Sequence, residues 1–230
     1  MRDAMKLVIL DCDGTIVDSQ NGIFEAMTRA FSGVGLGGPT RAETLAVVGL
    51  SLPEAFEILA REHDDEIRAV LAKRYRTAFR EFNQDPVHHE PLFDGIRDVI
   101  EHFSARKDLV LGIATGKSRH GIVRLLEREG WLPHFHTIQT ADDHPSKPHP
   151  AMIHAAIAEA GVGRSRTVMV GDTTFDMEMA IEAGVGALGA AWGYHQPEDL
   201  MESGAQVIVE TCSELRAEVD AFFADQERVG

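Results

Sequence analysis

Several things this sequence has little of narrow its class. It holds only two cysteines, Cys12 and Cys212, far apart and without C-x-x-C spacing, so neither a disulfide framework nor a cysteine-based zinc site is indicated. Cations are scarce too: 22 Lys and Arg stand against 37 Asp and Glu, a formal charge of −15. A sequence-independent nucleic-acid surface needs clustered cations to displace phosphate counterions, so no nucleic-acid partner is expected, and binding to an anionic membrane is disfavoured for the same reason. Long apolar runs are missing near the start, where Leu7 to Leu10 stops at Asp11, too short for a signal segment or a bilayer span. A soluble, cytoplasmic protein is the expectation. There is no internal repeat or low-complexity tract, and nothing in the pattern speaks to oligomeric state.

What is present is enough apolar content for a real core, 44% of 230 residues. Short apolar runs alternate with helical spacing and predict strands at residues 6–10, 109–114, 136–140, 167–171, 186–191 and 206–209. Such alternation predicts an α/β fold, a Rossmann-like doubly wound parallel sheet with helices on both faces. Ile122, Val123, Leu125 and Leu126, and later Met152, Ile153, Ala156, Ile157 and Ala160, follow helical spacing, with Gly130 and Gly161 placed to end those helices.

Residues 18–90 break the alternation with helical segments alone. Ile23, Phe24, Met27 and Phe31 share a helical face that ends in the glycine-rich stretch Gly33 to Pro39. Ser51 to Glu54 has capping-box spacing ahead of Ala55, Phe56, Ile58 and Leu59, and a further helix is predicted from Asp64 to Phe82. The expected organisation is a catalytic core of residues 1–17 and 91–230 with an inserted all-helical cap of residues 18–90. Its two linkers, Gly14 to Asp18 and Asp85 to Phe93, suit a lid.

Polar residues gather at the ends of the apolar runs. Asp11 and Asp13 follow the first, and an extended chain projects residues i and i+2 to one side. Two carboxylates at a buried strand end call for a compensating charge, and a metal cation is the natural one. The calcium-loop pattern D-x-D-x-D-G with a closing Glu is absent, although D-x-D-G also occurs in plain surface turns. Thr115 precedes Gly116, which lets backbone N–H groups approach an anion; alone, such a threonine is more often a turn residue. Lys147 stands among Pro145, Pro148 and Pro150, which stiffen its loop, where most lysines are simply solvated. Asp172 and Asp176 follow the run Thr167 to Gly171, and Asp172 could instead cap the next helix. In an open parallel sheet all these ends share one edge, where ligands bind.

Asp11-Cys12-Asp13-Gly14-Thr15, Thr115-Gly116, Lys147-Pro148 and Gly171-Asp172 with Asp176 resemble, in that order, the four motifs of the haloacid dehalogenase superfamily of phosphatases. The resemblance covers nearly the whole chain. The insertion after the first motif, and Val17-Asp18-Ser19, are similar to the subgroup of phosphoglycolate phosphatases and β-phosphoglucomutases. Cys12 stands where an aromatic is common, and Ala114-Thr115-Gly116-Lys117 replaces a frequent Ser-Asn form.

The resemblance implies a phosphatase acting on a small phosphorylated metabolite, phosphoglycolate foremost, through an aspartyl-phosphate. Asp11 would be the nucleophile and Asp13 the acid and base. Thr115, Gly116 and Lys147 would hold the phosphoryl group. Mg2+ would be held by Asp11, the backbone carbonyl of Asp13 and Asp172, with Asp176 in support. Gly49, in Val48-Gly49-Leu50-Ser51, would reach the site from the cap; this stretch has no Arg to declare a second anion on the substrate. The rival readings are a phosphomutase with the same aspartates and a receiver-like or vestigial binding domain. The histidine pairs His88-His89, His134 with His136, and His144 with His149 lack a Glu or Cys at ligand spacing and receive no function.

Overall fold

A computed structural model describes residues 5–84 and 90–229, and within them a six-stranded parallel sheet forms the centre. The strands are β1 (Lys6–Leu10), β2 (Leu109–Thr115), β3 (Phe135–Thr140), β4 (Thr167–Gly171), β5 (Gly186–Ala190) and β6 (Val207–Val209), in spatial order β3-β2-β1-β4-β5-β6. All six sequence-predicted strands are found, with ends shifted by a residue at most; Thr115 closes β2 rather than following it. The order reverses beside β1, which pairs with β2 on one side and β4 on the other, Leu10 facing both Ile113 and Val170. Side chains alternate along β1: Leu7 and Ile9 enter the core on one face, Val8 and Leu10 the core on the other. Each fully buried Leu or Ile contributes about 1.5–3 kcal/mol, so the strand is anchored from both sides.

Among the described residues, four helices follow β1 as an inserted unit: α1 (Gln20–Ser32), α2 (Arg41–Leu45), α3 (Leu52–Leu59) and α4 (Asp65–Gln84). They share a separate apolar core, in which Ile23, Met27 and Phe31 of α1 meet Phe56 of α3 and Leu71 and Tyr75 of α4. Helix α2 escaped the periodicity because its five residues are held by a capping box, with Glu43 accepting from the Thr40 backbone. The capping box expected at Ser51 does not form: the Ser51 N–H instead donates to Ser146 Oγ at 2.7 Å, tying the cap to the core. The chain enters and leaves this helical unit along neighbouring paths. Asp18 N donates to Pro91 O at 2.8 Å, and Phe93 N to Ile16 O at 3.1 Å.

The remaining helices cover the sheet: α5 (Ile96–Ser104), α6 (Arg119–Glu129), α7 (Ala151–Ala160), α8 (Thr174–Ala183), α9 (Pro197–Glu202) and α10 (Leu215–Val229). Gly130 and Gly161 end α6 and α7 in the left-handed conformation. No helix among the described residues is long and apolar enough to cross a membrane.

Candidate active site

The C-terminal ends of β1, β2 and β4 are adjacent because those strands are neighbours in the sheet, and they deliver Asp11, Thr115 and Asp172 to one edge. The Asp11 N–H donates to Val170 O at 3.0 Å, extending the β1–β4 ladder one residue so that the carboxylate is fixed by backbone pairing. Beyond it the chain turns sharply: Ile16 N and Val17 N both donate to Cys12 O. Gly14 serves this turn twice over. Its φ of +91° is in the left-handed region, and a Cβ there would lie 2.0 Å from Asp172 Oδ2.

Asp11 is 1% exposed, and neither carboxylate oxygen accepts a well-directed hydrogen bond among the described residues. Lys147 Nζ lies 2.9 Å from Asp11 Oδ1 as a charge contact, while its directed hydrogen bond goes to Asp176 Oδ1 at 2.6 Å. Burial, against the opposing charge of Lys147 and aided by Asp176, pushes the Asp11 carboxyl up to about 7. Asp172 is raised as well, by burial and then by Asp11 and Asp176. Burial works against the charge of Lys147, yet Asp11 and Asp176 outweigh it and hold the ammonium above the ordinary lysine value.

Asp172 does not cap the following helix. Its Oδ1 accepts from Thr15 Oγ1 at 2.8 Å and its Oδ2 from Tyr194 N at 2.9 Å. Thr173 is the cap residue, and Asp176 Oδ2 accepts from both its N–H and its hydroxyl. Asp176 is therefore held by the start of α8 on one oxygen and by Lys147 on the other.

Carboxylate oxygens of Asp11, Asp172 and Asp176 lie within 4.8 Å of one another, all buried. Hard carboxylate oxygens, raised pKa values from uncompensated burial, and two Asp11 oxygens lacking directed partners are the donor set a magnesium ion fits. The Asp13 side chain is not in this group. Its Oδ1 accepts from Lys117 Nζ at 2.7 Å, and the same ammonium donates to Glu90 Oε1 at 2.7 Å.

Thr115 is buried, its Oγ1 accepting from Lys117 N at 3.2 Å. Gly116 permits a close approach by the cap: a Cβ there would lie 2.7 Å from Gly49 O and 2.8 Å from Leu50 O. Asp11, Asp13, Thr115, Gly116 and Gly49 all line one cavity of about 640 Å³ between the sheet edge and the helical unit.

Sequence reasoning missed Lys117, Glu90 and Tyr194 as parts of this site. Lys117 is two residues past Thr115 in the same motif, a usable signal; Glu90 and Tyr194 carry none, being single residues brought in by the fold. Of the histidines, His136 Nε2 lies 3.3 Å from Glu159 O and His144 Nε2 lies 2.7 Å from Gln139 Oε1, local contacts away from the carboxylates. His88 and His89 lie outside the described residues.

A family model described as haloacid dehalogenase-like hydrolase matches residues 8–190, and the chain belongs to that family. Over 91% of both chains it is 37% identical to the probable phosphatase IndB of Dickeya dadantii. It is 29% identical to the pyrophosphatase PpaX of Bacillus pumilus, covering 93% of this chain and 96% of that one. Its identity to the phosphoglycolate phosphatase of Photorhabdus laumondii is 28%, covering 92% and 91%. A solved haloacid dehalogenase-like hydrolase from Streptococcus pneumoniae, SP0104, superposes with a TM-score of 0.80 at 25% identity, covering 94% of this chain and 98% of that one.

Proposed function

We propose that the protein is a magnesium-dependent phosphatase that hydrolyses a small phosphomonoester through an aspartyl-phosphate on Asp11. The observation that carries this is the Asp11 carboxylate: buried at a cavity floor, without a directed hydrogen bond, beside the Lys147 ammonium and two further carboxylates. A carboxylate kept free of directed partners retains its lone pairs for attack. Asp11 attacks phosphorus, the bond from phosphorus to the leaving oxygen breaks, and Asp13 gives that oxygen a proton. Asp13 then takes a proton from water, which cleaves the acyl phosphate and regenerates Asp11.

To act as acid, Asp13 must release Lys117, whose charge remains matched by Glu90. Lys147, the Thr115 hydroxyl and the Gly116 N–H serve the oxygens of the transferring phosphoryl group, each such donor contributing about 3 kcal/mol. Asp11, Asp172 and the Asp13 backbone carbonyl would hold magnesium, which would supply charge that neutralises the carboxylates and the phosphoryl oxygens. Asp176 orients Lys147. Residues 18–90 act as the cap and Gly49 closes against Gly116.

The relatives' names support the reaction class and differ in substrate, IndB being named only a probable phosphatase. Phosphoglycolate is the first candidate, ahead of sugar phosphates, nucleotides and pyrophosphate. The test is hydrolysis of para-nitrophenyl phosphate and a panel of metabolite phosphomonoesters with magnesium. Wild type is expected to exceed Asp11→Asn by about a thousandfold or more. Equal rates from the two proteins across the panel would overturn the reading.

A further inference from the structure

We propose that the cavity above Asp11 contains a second anion subsite, formed by Arg76 and Arg80 of α4 and His120 and Arg124 of α6. The preferred substrate is then a phosphomonoester whose far end carries a carboxylate or a second phosphate. This deepens the phosphatase reading of Asp11 and rests on it for the word substrate, though not for the binding of an anion.

All four side chains line the same cavity as Asp11. Arg76 and Arg80 are one helical turn apart, as are His120 and Arg124, so each helix presents two basic groups on one face. One helix belongs to the inserted unit and the other flanks the sheet, and residues of both line the one cavity. In a chain of formal charge −15, surface arginines find carboxylates readily, as Arg97, Arg106 and Arg119 do with Glu129, Asp220 and Asp143. Arg76, Arg80 and Arg124 make no hydrogen bond or ion pair among the described residues.

The acids sharing the cavity are otherwise engaged: Asp13 with Lys117, and Asp142, whose Oδ2 accepts from Arg119 N at 2.8 Å. A guanidinium suits a carboxylate or phosphate through paired, charge-assisted hydrogen bonds. The same cavity is also lined by apolar side chains, among them Ile23, Met27, Leu52 and Phe79, which suit a carbon body. The volume of about 640 Å³ is in the usual range of small-molecule sites and exceeds what a lone phosphate fills. The stretch Val48 to Ser51, which lines the cavity and faces Gly116, offers no cation, so recognition of a second anion falls to α4 and α6.

The test compares two non-hydrolysable probes by calorimetry with magnesium, benzylphosphonate and 4-carboxybenzylphosphonate. Wild type is expected to bind the carboxylated probe roughly tenfold or more tightly, as a charge-assisted contact implies. That ratio is expected to collapse toward one in Arg76→Gln/Arg80→Gln and in Arg124→Gln. It is expected to persist in Arg74→Gln, an exposed position on the same helix that does not line the cavity.

Equal affinities in wild type overturn the subsite, and so does an equal loss in Arg74→Gln, which would mean net charge alone. Misfolding of a variant does not obscure the result, since the wild-type ratio is decisive by itself. Turnover is read separately with phenyl phosphate and 4-carboxyphenyl phosphate. A retained binding ratio without any hydrolysis overturns the phosphatase reading and leaves the subsite. Hydrolysis without a binding ratio overturns the subsite alone, and failure of both probes to bind together with absence of hydrolysis overturns both.

Discussion

At the scale of single residues, the site is organised around negative charge that the protein itself does not balance. Asp11, Asp172 and Asp176 are buried together with one nearby ammonium, Lys147. The Asp11 carboxyl is raised from 3.8 to about 7, so folding favours its protonated form. Between those values the folded state holds a proton that the unfolded state has lost. Stability of the metal-free protein therefore falls as pH rises through that window, and the loss is complete above about 7.

Two outcomes are expected. Without metal, Asp11→Asn melts higher than wild type at pH 8 by several degrees, a difference that shrinks toward pH 5, as differential scanning fluorimetry can measure. Magnesium raises the wild-type melting temperature more at pH 8 than at pH 5.5. A magnesium shift that is larger at the lower pH would contradict this charge assignment. Gly14→Ala is expected to lower stability by about 2 kcal/mol or more and to weaken magnesium binding, because its methyl group must displace Asp172.

At the scale of elements, function depends on which strand ends are neighbours and on how the inserted helices meet them. The strands were legible because each is a short apolar run punctuated by a turn, and Asp11, Thr115 and Asp172 stood out because they end such runs. Lys147 was legible only beside the others, since nothing local separates a loop lysine in a buried site from a solvated one. Asp172 illustrates what spacing leaves open: the helix it precedes is capped by Thr173 and Asp176, which frees Asp172 for the carboxylate group. Glu90 and Tyr194 were invisible because their partners are remote in sequence, Glu90 accepting from Lys117 and the Tyr194 hydroxyl accepting from the Ser19 N–H at 2.9 Å. Helix α2 was too short to show a period.

One seam between the inserted unit and the sheet edge is Gly116 against the carbonyls of Gly49 and Leu50. Gly116→Val is expected to hold that seam apart and cut kcat/KM about a hundredfold. The loss of global stability should be small, since the side chain enters a cleft rather than a core. Denaturant melts alongside initial rates check this, and full activity in the variant would show that the seam has no part in turnover.

At the scale of the whole molecule, a strongly acidic chain places several of its cations where an anion would arrive. Lys147 sits beside Asp11, Lys117 beside Asp13, and the arginines of α4 and α6 line the same cavity. The parallel sheet supplies the edge, and the inserted helices supply the other wall. Family membership fixes the lineage, while the claim on which the chemistry depends is covalent: a phosphoryl group must rest on Asp11. The most direct measurement is acid quenching of Asp13→Asn during turnover of a phosphomonoester with magnesium, followed by peptide mass spectrometry. The expected result is one added phosphoryl group on the peptide carrying Asp11, absent when Asp11 is also changed to Asn. Hydrolysis by wild type with no phosphoryl group ever trapped on that peptide, and undiminished hydrolysis in Asp11→Asn, would contradict it.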